Sequence, residues 1–273
     1  MKAFVTGGSG FIGQAVVRKL VARGWQVNAL VRSQHSAARL SALGATPVWG
    51  DITARESMRP GMSGCQAVFH AAGWYRLGSP SWRQAELINV EGTRNVLELA
   101  VELHIPRIIY TSSVAIYGDT HGYVPDESYI PPPCQFLTEY DRTKHNAHYQ
   151  VALPLIAHGA PLTIVMPGAV YGPGDPSLVG KFMDLFYRGL LPVATGAGLE
   201  LCYAHVDDIA EGHLLAYEKG RPGESYHLTG PAFTLRRALR MWAEVTGIQP
   251  PMVWVPSGWL QPLAPLVDFM AAR

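Results

Sequence analysis

Cysteine and charge are both scarce in this sequence, and each shortage excludes a class of protein. Only three cysteines occur among 273 residues, and Cys65, Cys134 and Cys202 are far apart, with no Cys-x-x-Cys spacing. This argues against a metal site or a disulfide framework and fits a reducing compartment. The formal net charge is +1 and there is no run of Lys or Arg. Neither a nucleic acid nor a membrane is therefore expected as a partner on electrostatic grounds.

Long hydrophobic runs are also missing. There is no stretch of about 18 uninterrupted apolar residues, the length that a membrane-spanning helix needs. The apolar start, M-K-A-F-V-T-G-G, is too short for a signal peptide. We therefore expect a cytoplasmic protein. A hydrophobic content of 48% with 16% charged residues is typical of a globular chain that can bury a full core.

Short apolar segments alternate with helical patterns through the first 166 residues. Six segments are apolar throughout, as strands covered on both faces are. They are Ala3–Thr6, Gln26–Val31, Thr46–Val48, Ala67–His70, Arg107–Thr111 and Leu162–Met166. The helical patterns are Ile12–Arg23, Ser36–Leu43, Ala54–Arg59, Trp82–Leu103 and Leu137–Ala157, and Pro154 is expected to kink or shorten the last one. This alternation predicts an α/β fold with a doubly wound parallel sheet, the Rossmann fold.

A glycine loop, T-G-G-S-G-F-I-G, joins the first strand to the first helix. Its glycines permit a tight turn, close approach of the backbone to a pyrophosphate, and close packing of the helix on the strand. The phosphates would then lie at the positive end of the helix. A plain strand–helix turn is the alternative, which this position between a strand and a helix disfavours. We predict a dinucleotide site that includes Thr6, Gly7, Gly10, Phe11, Ile12 and Gly13.

Further cofactor contacts are expected where later strands end. Arg32 follows the second strand, where folds that prefer NAD carry an acid, and an arginine suits the 2′-phosphate of NADP. NADP is therefore favoured, NAD remains possible, and a solvated surface arginine is the alternative. Asp51 and Ile52 follow the third strand, and Ala71 and Ala72 follow the fourth, at the sheet edge where ligands bind. Asp51 could accept a hydrogen bond from the adenine amine or cap the next helix.

Tyr140 and Lys144 are one helical turn apart in Y-D-R-T-K, so they share a helix face. An ammonium beside a phenol is expected to lower the phenol pKa from about 10 toward working pH. Ser112 and Ser113 follow the fifth strand, where a hydroxyl can bond the reacting oxygen of a substrate or simply form a turn. His70 is interpreted as a strand-end histidine with satisfied hydrogen bonds and no role in the chemistry.

The ordered set of motifs resembles the extended short-chain dehydrogenase/reductase family. More narrowly, it is similar to the NAD-dependent epimerase/dehydratase group, which includes dihydroflavonol-reductase-like enzymes. Besides the motifs above, the resemblance rests on H-A-A-G, on N-V-E-G-T at Asn89–Thr93, on P-G-A-V-Y-G-P-G-D at Pro167–Asp175, and on H-V-D-D-I-A at His205–Ala210. It covers essentially the whole chain.

The resemblance implies hydride transfer to or from a nicotinamide. Tyr140 would be the general acid or base, and Lys144 would lower its pKa and hold the nicotinamide-ribose hydroxyls. Ser113, with Ser112 as the second choice, would bond the substrate oxygen, and Pro167 would contact the nicotinamide amide. We expect residues 1–166 to form the dinucleotide-binding core. Residues 167–273 would form mainly a smaller, interleaved substrate-binding lobe, whose C-terminal part is short, and the two longest helices would form a homodimer interface.

Two departures from the family pattern favour a carbonyl reductase over a sugar-nucleotide enzyme. Sugar-nucleotide members carry an asparagine where this chain has Ala169, and they differ over the four residues W-Y-R-L at 74–77. Aromatic side chains near the predicted loops suit an apolar carbonyl compound; these are Trp74, Tyr75, Trp82, Phe136 and Tyr171. We therefore expect a small carbonyl or alcohol substrate. A nucleotide-sugar epimerase or dehydratase and a non-catalytic dinucleotide-binding regulator remain the alternatives.

Overall fold

The structure, a computed structural model, describes residues 1–75, 82–131, 136 and 138–256. Arg76, Leu77, Cys134, and the start of the predicted helix at Leu137 lie outside the described residues. The chain divides into two compact units. The first contains Met1–Pro167 and His205–Leu228, and the second contains Gly168–Ala204 and the chain from Thr229 onward. The predicted boundary at residue 166 lies next to Pro167, where the chain first passes from the first unit into the second. The chain returns to the first unit at His205.

Twelve strands occur in the described part of the chain. They are β1 (Lys2–Thr6), β2 (Gln26–Val31), β3 (Thr46–Trp49), β4 (Ala67–His70), β5 (Ile108–Thr111), β6 (Leu162–Pro167), β7 (Ala169–Tyr171), β8 (Val193–Thr195), β9 (Glu200–His205), β10 (Ser225–Leu228), β11 (Ala232–Thr234) and β12 (Val253–Val255). Seven of them form one parallel sheet in the order β3-β2-β1-β4-β5-β6-β10. The predicted doubly wound sheet and its six strands are confirmed, and β10 is an additional strand that the sequence analysis missed.

Helices cover both faces of this sheet. They are α1 (Phe11–Ala22), α2 (Gln34–Ala42), α3 (Arg59–Met62), α4 (Trp82–Glu86), α5 (Gly92–Glu102), α6 (Glu139–Ala147), α7 (Leu153–Ala157) and α9 (Val206–Glu218), while α8 (Leu178–Tyr187) and α10 (Leu235–Thr246) belong to the second unit. Strands β4, β5 and β6 are buried along their whole length, which explains their uniformly apolar sequences. No helix of the described residues is long and apolar enough to cross a membrane.

Each of the two long predicted helices contains a π-helical turn. Leu87–Glu91 joins α4 to α5, and His148–Ala152 joins α6 to α7. Pro154 lies in the first turn of α7, directly after the second π turn. A regular α-helix needs a backbone N–H donor at each interior position, and proline has none. The wider π turn before Pro154 changes the hydrogen-bond pattern, so that no donor is needed there. Pro154 is expected from the sequence to kink or shorten the helix, but the helix is not shortened, since it continues to Ala157 after the local change of pitch.

The third predicted helix, Ala54–Arg59, is replaced by a 3₁₀ turn, Arg55–Met58, followed by the four residues of α3.

The second unit contains two small sheets. Strands β11, β9 and β7 form one, and β12 pairs in parallel with β8 in the other. Trp242 of α10 has the rings of Tyr171, Phe186 and Tyr203 around it, at centroid distances of 6.2 to 6.3 Å. This aromatic cluster forms an apolar centre for the unit. Substrate binding by the second unit stays a prediction.

Candidate active site

The glycine loop lies directly on the end of β4. Gly7 has a φ of 72°, in the left-handed region that favours glycine. A Cβ atom at Gly7 would stand 2.5 Å from the backbone carbon of Ala71 and the backbone nitrogen of Ala72, and one at Gly13 would collide with the carbonyl oxygen of Gly7. Both positions therefore require glycine, and the structure brings Gly7 together with Ala71 and Ala72 as predicted from their strand ends.

The first turn of α1 is built to receive an anion. Gly10 is its N-cap and supplies no capping side chain, and the first turn contains no acidic residue. The helix starts with Phe11, Ile12 and Gly13. Its first amide donors and the positive end of its dipole could therefore bind a ligand such as a pyrophosphate. Thr6 is fully buried and bonds His70 (Oγ1 to Nδ1, 2.6 Å), so it supports the loop from beneath.

Arg32 and Asp51 pair with each other at the ends of β2 and β3. The Arg32 Nη1 to Asp51 Oδ2 distance is 3.3 Å, and the Arg32 side chain is 68% exposed. Burial opposes ionisation of Asp51, but hydrogen bonds from Thr53 and the charge of Arg32 lower its pKa below the usual value. Asp51 Oδ1 also accepts from Thr53 N at 2.9 Å, but the N-cap of the following helical turn is Ala54, so the alternative role of Asp51 as a helix cap is wrong. Ile52 is buried, and its Cδ1 would lie 2.6 Å from a Cβ at Gly92, so a side chain at Gly92 would require Ile52 to shift.

Helix α6 carries the predicted tyrosine and lysine in its first two turns. Thr138 caps the helix, with its side chain accepting from Asp141 N and the Asp141 carboxylate accepting from Thr138 N. This capping box fixes where the helix starts and therefore where Tyr140 lies. The side chain of Ser113, which follows β5, lies close enough to the Tyr140 hydroxyl to lower its pKa. Lys144 is buried one turn later.

The two protonation states differ from the sequence expectation. Burial raises the pKa of Tyr140 to about 12, and the nearby Ser113 side chain opposes this rise. Burial lowers the pKa of Lys144 to about 7. The Lys144 ammonium donates to the Thr111 carbonyl oxygen at 2.7 Å and to the Tyr110 hydroxyl at 3.3 Å. The Tyr140 pKa is therefore raised and not lowered as predicted, and Lys144 is not among the causes of the shift.

Asn89, in the π turn between α4 and α5, holds the segment after β4. Its Oδ1 accepts from Trp74 N at 2.6 Å, and its Nδ2 donates to Trp74 O at 3.1 Å and to Thr143 Oγ1 at 2.9 Å. The neighbouring Tyr75 ring lies edge-on against the ring of Tyr140, with centroids 4.9 Å apart. The π turn thus places an aromatic wall beside the predicted proton donor.

The other predicted wall residues have these surroundings. Trp82 is 52% exposed, the Phe136 ring lies tilted against His145, and Tyr171 packs against Trp242 within the second unit. Pro167 is the buried last residue of β6 and is paired with Leu228 of β10.

Sequence reasoning missed Tyr110, which touches Lys144, and the positional role of Asn89. The sequence did contain a signal for Tyr110. It is two residues before Ser112, and residues two apart along a strand lie on the same face, here the face that α6 packs against. The hydrogen bonds of His70 are satisfied as predicted, since both its ring nitrogens have hydroxyl partners, and its lack of a chemical role stays a prediction.

A parallel doubly wound sheet, a glycine loop at a helix start, and a serine, tyrosine and lysine at the same sheet edge define a class of nicotinamide-dinucleotide enzyme. Residues 3–229 match the NAD dependent epimerase/dehydratase family. The chain is 35% identical over 252 residues to the 4-hydroxy-2-methyl-3-oxo-4-farnesyl-3,4-dihydroquinoline-1-oxide ketoreductase of Stigmatella aurantiaca, covering 91% of this chain and 74% of that protein.

Two solved structures are also similar. The crystal structure of gox2253 has a TM-score of 0.85 at 35% identity, covering 99% of this chain and 82% of the other. MoeE5 in complex with UDP-glucose and NAD has a TM-score of 0.77 at 26% identity, covering 94% and 85%. The chain belongs to the NAD-dependent epimerase/dehydratase family of extended short-chain dehydrogenases/reductases, as its motifs predicted. It is an NAD(P)-dependent oxidoreductase.

Proposed function

We propose that this protein is an NADP(H)-dependent reductase that interconverts a carbonyl and an alcohol on a small, mainly apolar molecule. The observation that carries the proposal is that the Ser113 side chain lies close enough to the Tyr140 hydroxyl to lower its pKa, with Lys144 buried one helical turn further on. Two neighbouring hydroxyls can both reach the oxygen of one substrate carbonyl.

The protonation of the site favours reduction. Burial keeps Tyr140 protonated at neutral pH, because its pKa is raised to about 12. It can therefore donate its proton to a carbonyl oxygen on which negative charge develops. Ser113 accepts from Ala115 N at 3.1 Å, which leaves its own proton to donate to the same oxygen. The nicotinamide, when bound, supplies the hydride, and the chain supplies placement and the proton.

The glycine loop and Arg32 support NADP as the cofactor. The carboxylate paired with Arg32 comes from Asp51 of the next strand end, and the pair is exposed. An exposed ion pair contributes only about 0–1 kcal/mol, so a 2′-phosphate can compete for the guanidinium. Ala71, Ala72 and Pro167 would line the rest of the cofactor, as the family resemblance implies.

The substrate class follows from the residues around Tyr140. Tyr75 covers one side of the tyrosine with an aromatic ring. Ala169 has no polar group at the position where sugar-nucleotide members of the family have an asparagine. The similar Stigmatella protein is named as a ketoreductase acting on a farnesylated ring compound. Together these support an apolar ketone as the substrate.

A nucleotide-sugar epimerase or dehydratase is the second candidate. The similarity to a structure that holds UDP-glucose and NAD favours it. The two candidates differ in what they consume, since a reductase oxidises NADPH in proportion to product, whereas an epimerase returns its hydride to the substrate. A regulator without catalysis is the third candidate, and the presence of Ser113, Tyr140 and Lys144 together argues against it.

The test is NADPH oxidation, followed by absorbance, across aldehydes, apolar ketones, and UDP- and dTDP-sugars. With a ketone that turns over, Tyr140→Phe is expected to lower kcat by about 100-fold or more, because the proton donor is lost. NADPH binding is expected to change by less than about threefold, since the ring remains. Tyr217→Phe is the matched control, because this hydroxyl contacts Met1 at the far end of β1. Unchanged turnover in Tyr140→Phe would falsify the proposal.

We also propose that the protein is a cytoplasmic homodimer. Trp82 and Leu87 expose about half of their side chains on α4 and the π turn that follows it. These residues belong to the helical segment that forms dimer contacts in the family that the sequence resembles. A second copy covering them would remove this apolar surface from water.

A further inference from the structure

The ammonium group of Lys144 lies against Tyr110, on the neighbouring strand β5. Its Nζ is 3.3 Å from the Tyr110 hydroxyl oxygen and 4.8 Å from the centroid of the Tyr110 ring. Its other hydrogen bond goes to the carbonyl oxygen of Thr111 at 2.7 Å. Lys144 is only 4% exposed, so water contributes little to holding its charge. One of its two protein acceptors is thus a side chain that can be changed without moving the backbone.

Tyr110 is itself held on all sides by buried polar groups. It is fully buried and is the cross-strand partner of His70, whose ring stacks on it at a centroid distance of 5.5 Å. The side chains of Thr93 of α5 and of Ser112 lie close enough to its hydroxyl to act on its pKa, each opposing the rise that burial causes. Thr93 is bonded in turn to His70 Nε2 at 3.0 Å, and Ser112 to His148 Nδ1 at 3.0 Å. Full burial and the stacked ring of His70 therefore hold the phenol in place independently of the lysine.

None of the side chains around Lys144 supplies a negative charge at neutral pH. Within the described part of the chain, the titratable groups facing it are Tyr110 and His70 on the strands, and Tyr140 and His148 on its own helical segment. Burial raises the pKa of Tyr110 well above its usual value. Burial and the charge of Lys144 lower the pKa of His70 to about 3 and of His148 to about 4. The ammonium is therefore stabilised by oxygen lone pairs and a ring face alone.

We propose that Tyr110 is a positioning residue that fixes the ammonium group of Lys144 for cofactor binding, through its hydroxyl oxygen and the face of its ring. The inference rests on the proposed role of Lys144 at the nicotinamide ribose. The sequence motif assigns cofactor binding to the lysine alone, whereas the inference gives a part in it to Tyr110, a buried residue of β5. Removing the hydroxyl takes away one acceptor and leaves the ring, so the charged form of Lys144 loses stability and its pKa falls further.

The test is a double-mutant cycle on NADPH binding with Tyr110→Phe and Lys144→Met, read by fluorescence titration from pH 6 to pH 9. Tyr110→Phe is expected to raise the dissociation constant about tenfold at pH 8, where the lower pKa of its Lys144 leaves a still smaller fraction of the lysine charged than in the unaltered protein. At pH 6 the expected rise is about twofold or less, because Lys144 of the unaltered protein is then largely charged and the variant keeps much of that charge. In the Lys144→Met background the same change is expected to alter the dissociation constant by less than about twofold, because there is no ammonium left to hold.

The matched control is Tyr117→Phe, which also removes a buried phenol hydroxyl, one bonded to His227 Nε2 at 2.9 Å. It is expected to leave the dissociation constant unchanged. An equal loss from Tyr110→Phe in both backgrounds, no loss in either, or an equal loss from Tyr117→Phe would overturn the inference. The readout is binding and needs no turnover. If no carbonyl compound is reduced, the proposed function fails while the cycle still decides the role of Tyr110.

Discussion

The side chain of Arg32 is the residue-scale feature that bears on cofactor choice. It extends from the end of β2 and is paired with Asp51 at 3.3 Å through a largely exposed contact. A guanidinium in this position can bind a phosphate with two parallel hydrogen bonds, whereas it gains nothing comparable from a ribose hydroxyl. The carboxylate of Asp51 remains available beside it for a neutral group of the nucleotide.

We therefore predict that Arg32→Ala weakens NADPH binding by about 10- to 100-fold, the loss of one charge-assisted contact of about 1.5–3 kcal/mol. NADH binding is expected to stay within about twofold. Fluorescence titration of both cofactors measures this, with Arg39→Ala, an exposed arginine of α2, as the matched control. Equal affinity of the unaltered protein for NADH and NADPH would remove the NADP assignment.

The same scale shows why part of the site was predictable and part was not. The spacing of Tyr140 and Lys144 fixed the helix face that they share, because helical periodicity follows from the backbone alone. It did not fix where the ammonium points, because the lysine stem has four rotatable bonds and selects its acceptors from β5. The identity of those acceptors depends on how α6 packs on the sheet, which the spacing within one helix does not contain.

At the scale of elements, the two π turns change what the long helices can do. Helical periodicity predicts a continuous helix through residues 82–103, since apolar residues recur at helical spacing through most of that range. The observed π turn at Leu87–Glu91 instead turns Asn89 toward the backbone of Trp74 and the side chain of Thr143. A π turn frequently marks a functional site, and here it connects the segment after β4 to α6.

Asn89→Ala is accordingly predicted to lower the free energy of unfolding by about 2–4 kcal/mol, because the three hydrogen bonds of its side chain join buried groups that would lose a partner. Urea denaturation followed by tryptophan fluorescence measures it. Asn95→Ala, which removes one hydrogen bond to Ile52 O, is expected to cost about 1 kcal/mol. A loss from Asn89→Ala no greater than that from Asn95→Ala would contradict the proposed role of the Asn89 side chain in holding the segment after β4.

The missed strand has a similar explanation. β10 is four residues long, S-Y-H-L, half-buried along its length, and it lies at the edge of the sheet beside β6. An edge strand need not be apolar throughout, so the pattern that found the buried strands does not find it. The chain reaches this edge only after passing through residues of the second unit, and no local signal in the sequence marks that return.

At the scale of the whole molecule, three buried histidines join the parallel sheet to the helices that cover it. His70 bonds Thr93 of α5, His148 bonds Ser112 after β5, and His213 of α9 bonds Thr111 at 2.9 Å. Burial is the largest cause of the low pKa in each, which falls to about 3 for His70 and about 4 for His148 and His213. All three are neutral in the folded protein at pH 7, and both faces of the sheet depend on them.

The unfolded chain binds a proton at each of these positions near pH 6.5, whereas the folded protein does not until pH 4 or below. Their contribution to stability is therefore complete above about pH 6.5 and is lost as the pH falls toward 4. Going from pH 7 to pH 5 is expected to lower the free energy of unfolding by up to about 2 kcal/mol for each histidine, a loss that urea denaturation at both pH values measures.

His213→Gln should be less stable at pH 7, but its free energy of unfolding should fall less on acidification, because the unfolded chain takes up one proton fewer. His35→Gln, on exposed α2, should leave the pH dependence as it was, and a dependence unchanged by His213→Gln would show that these buried rings do not set it.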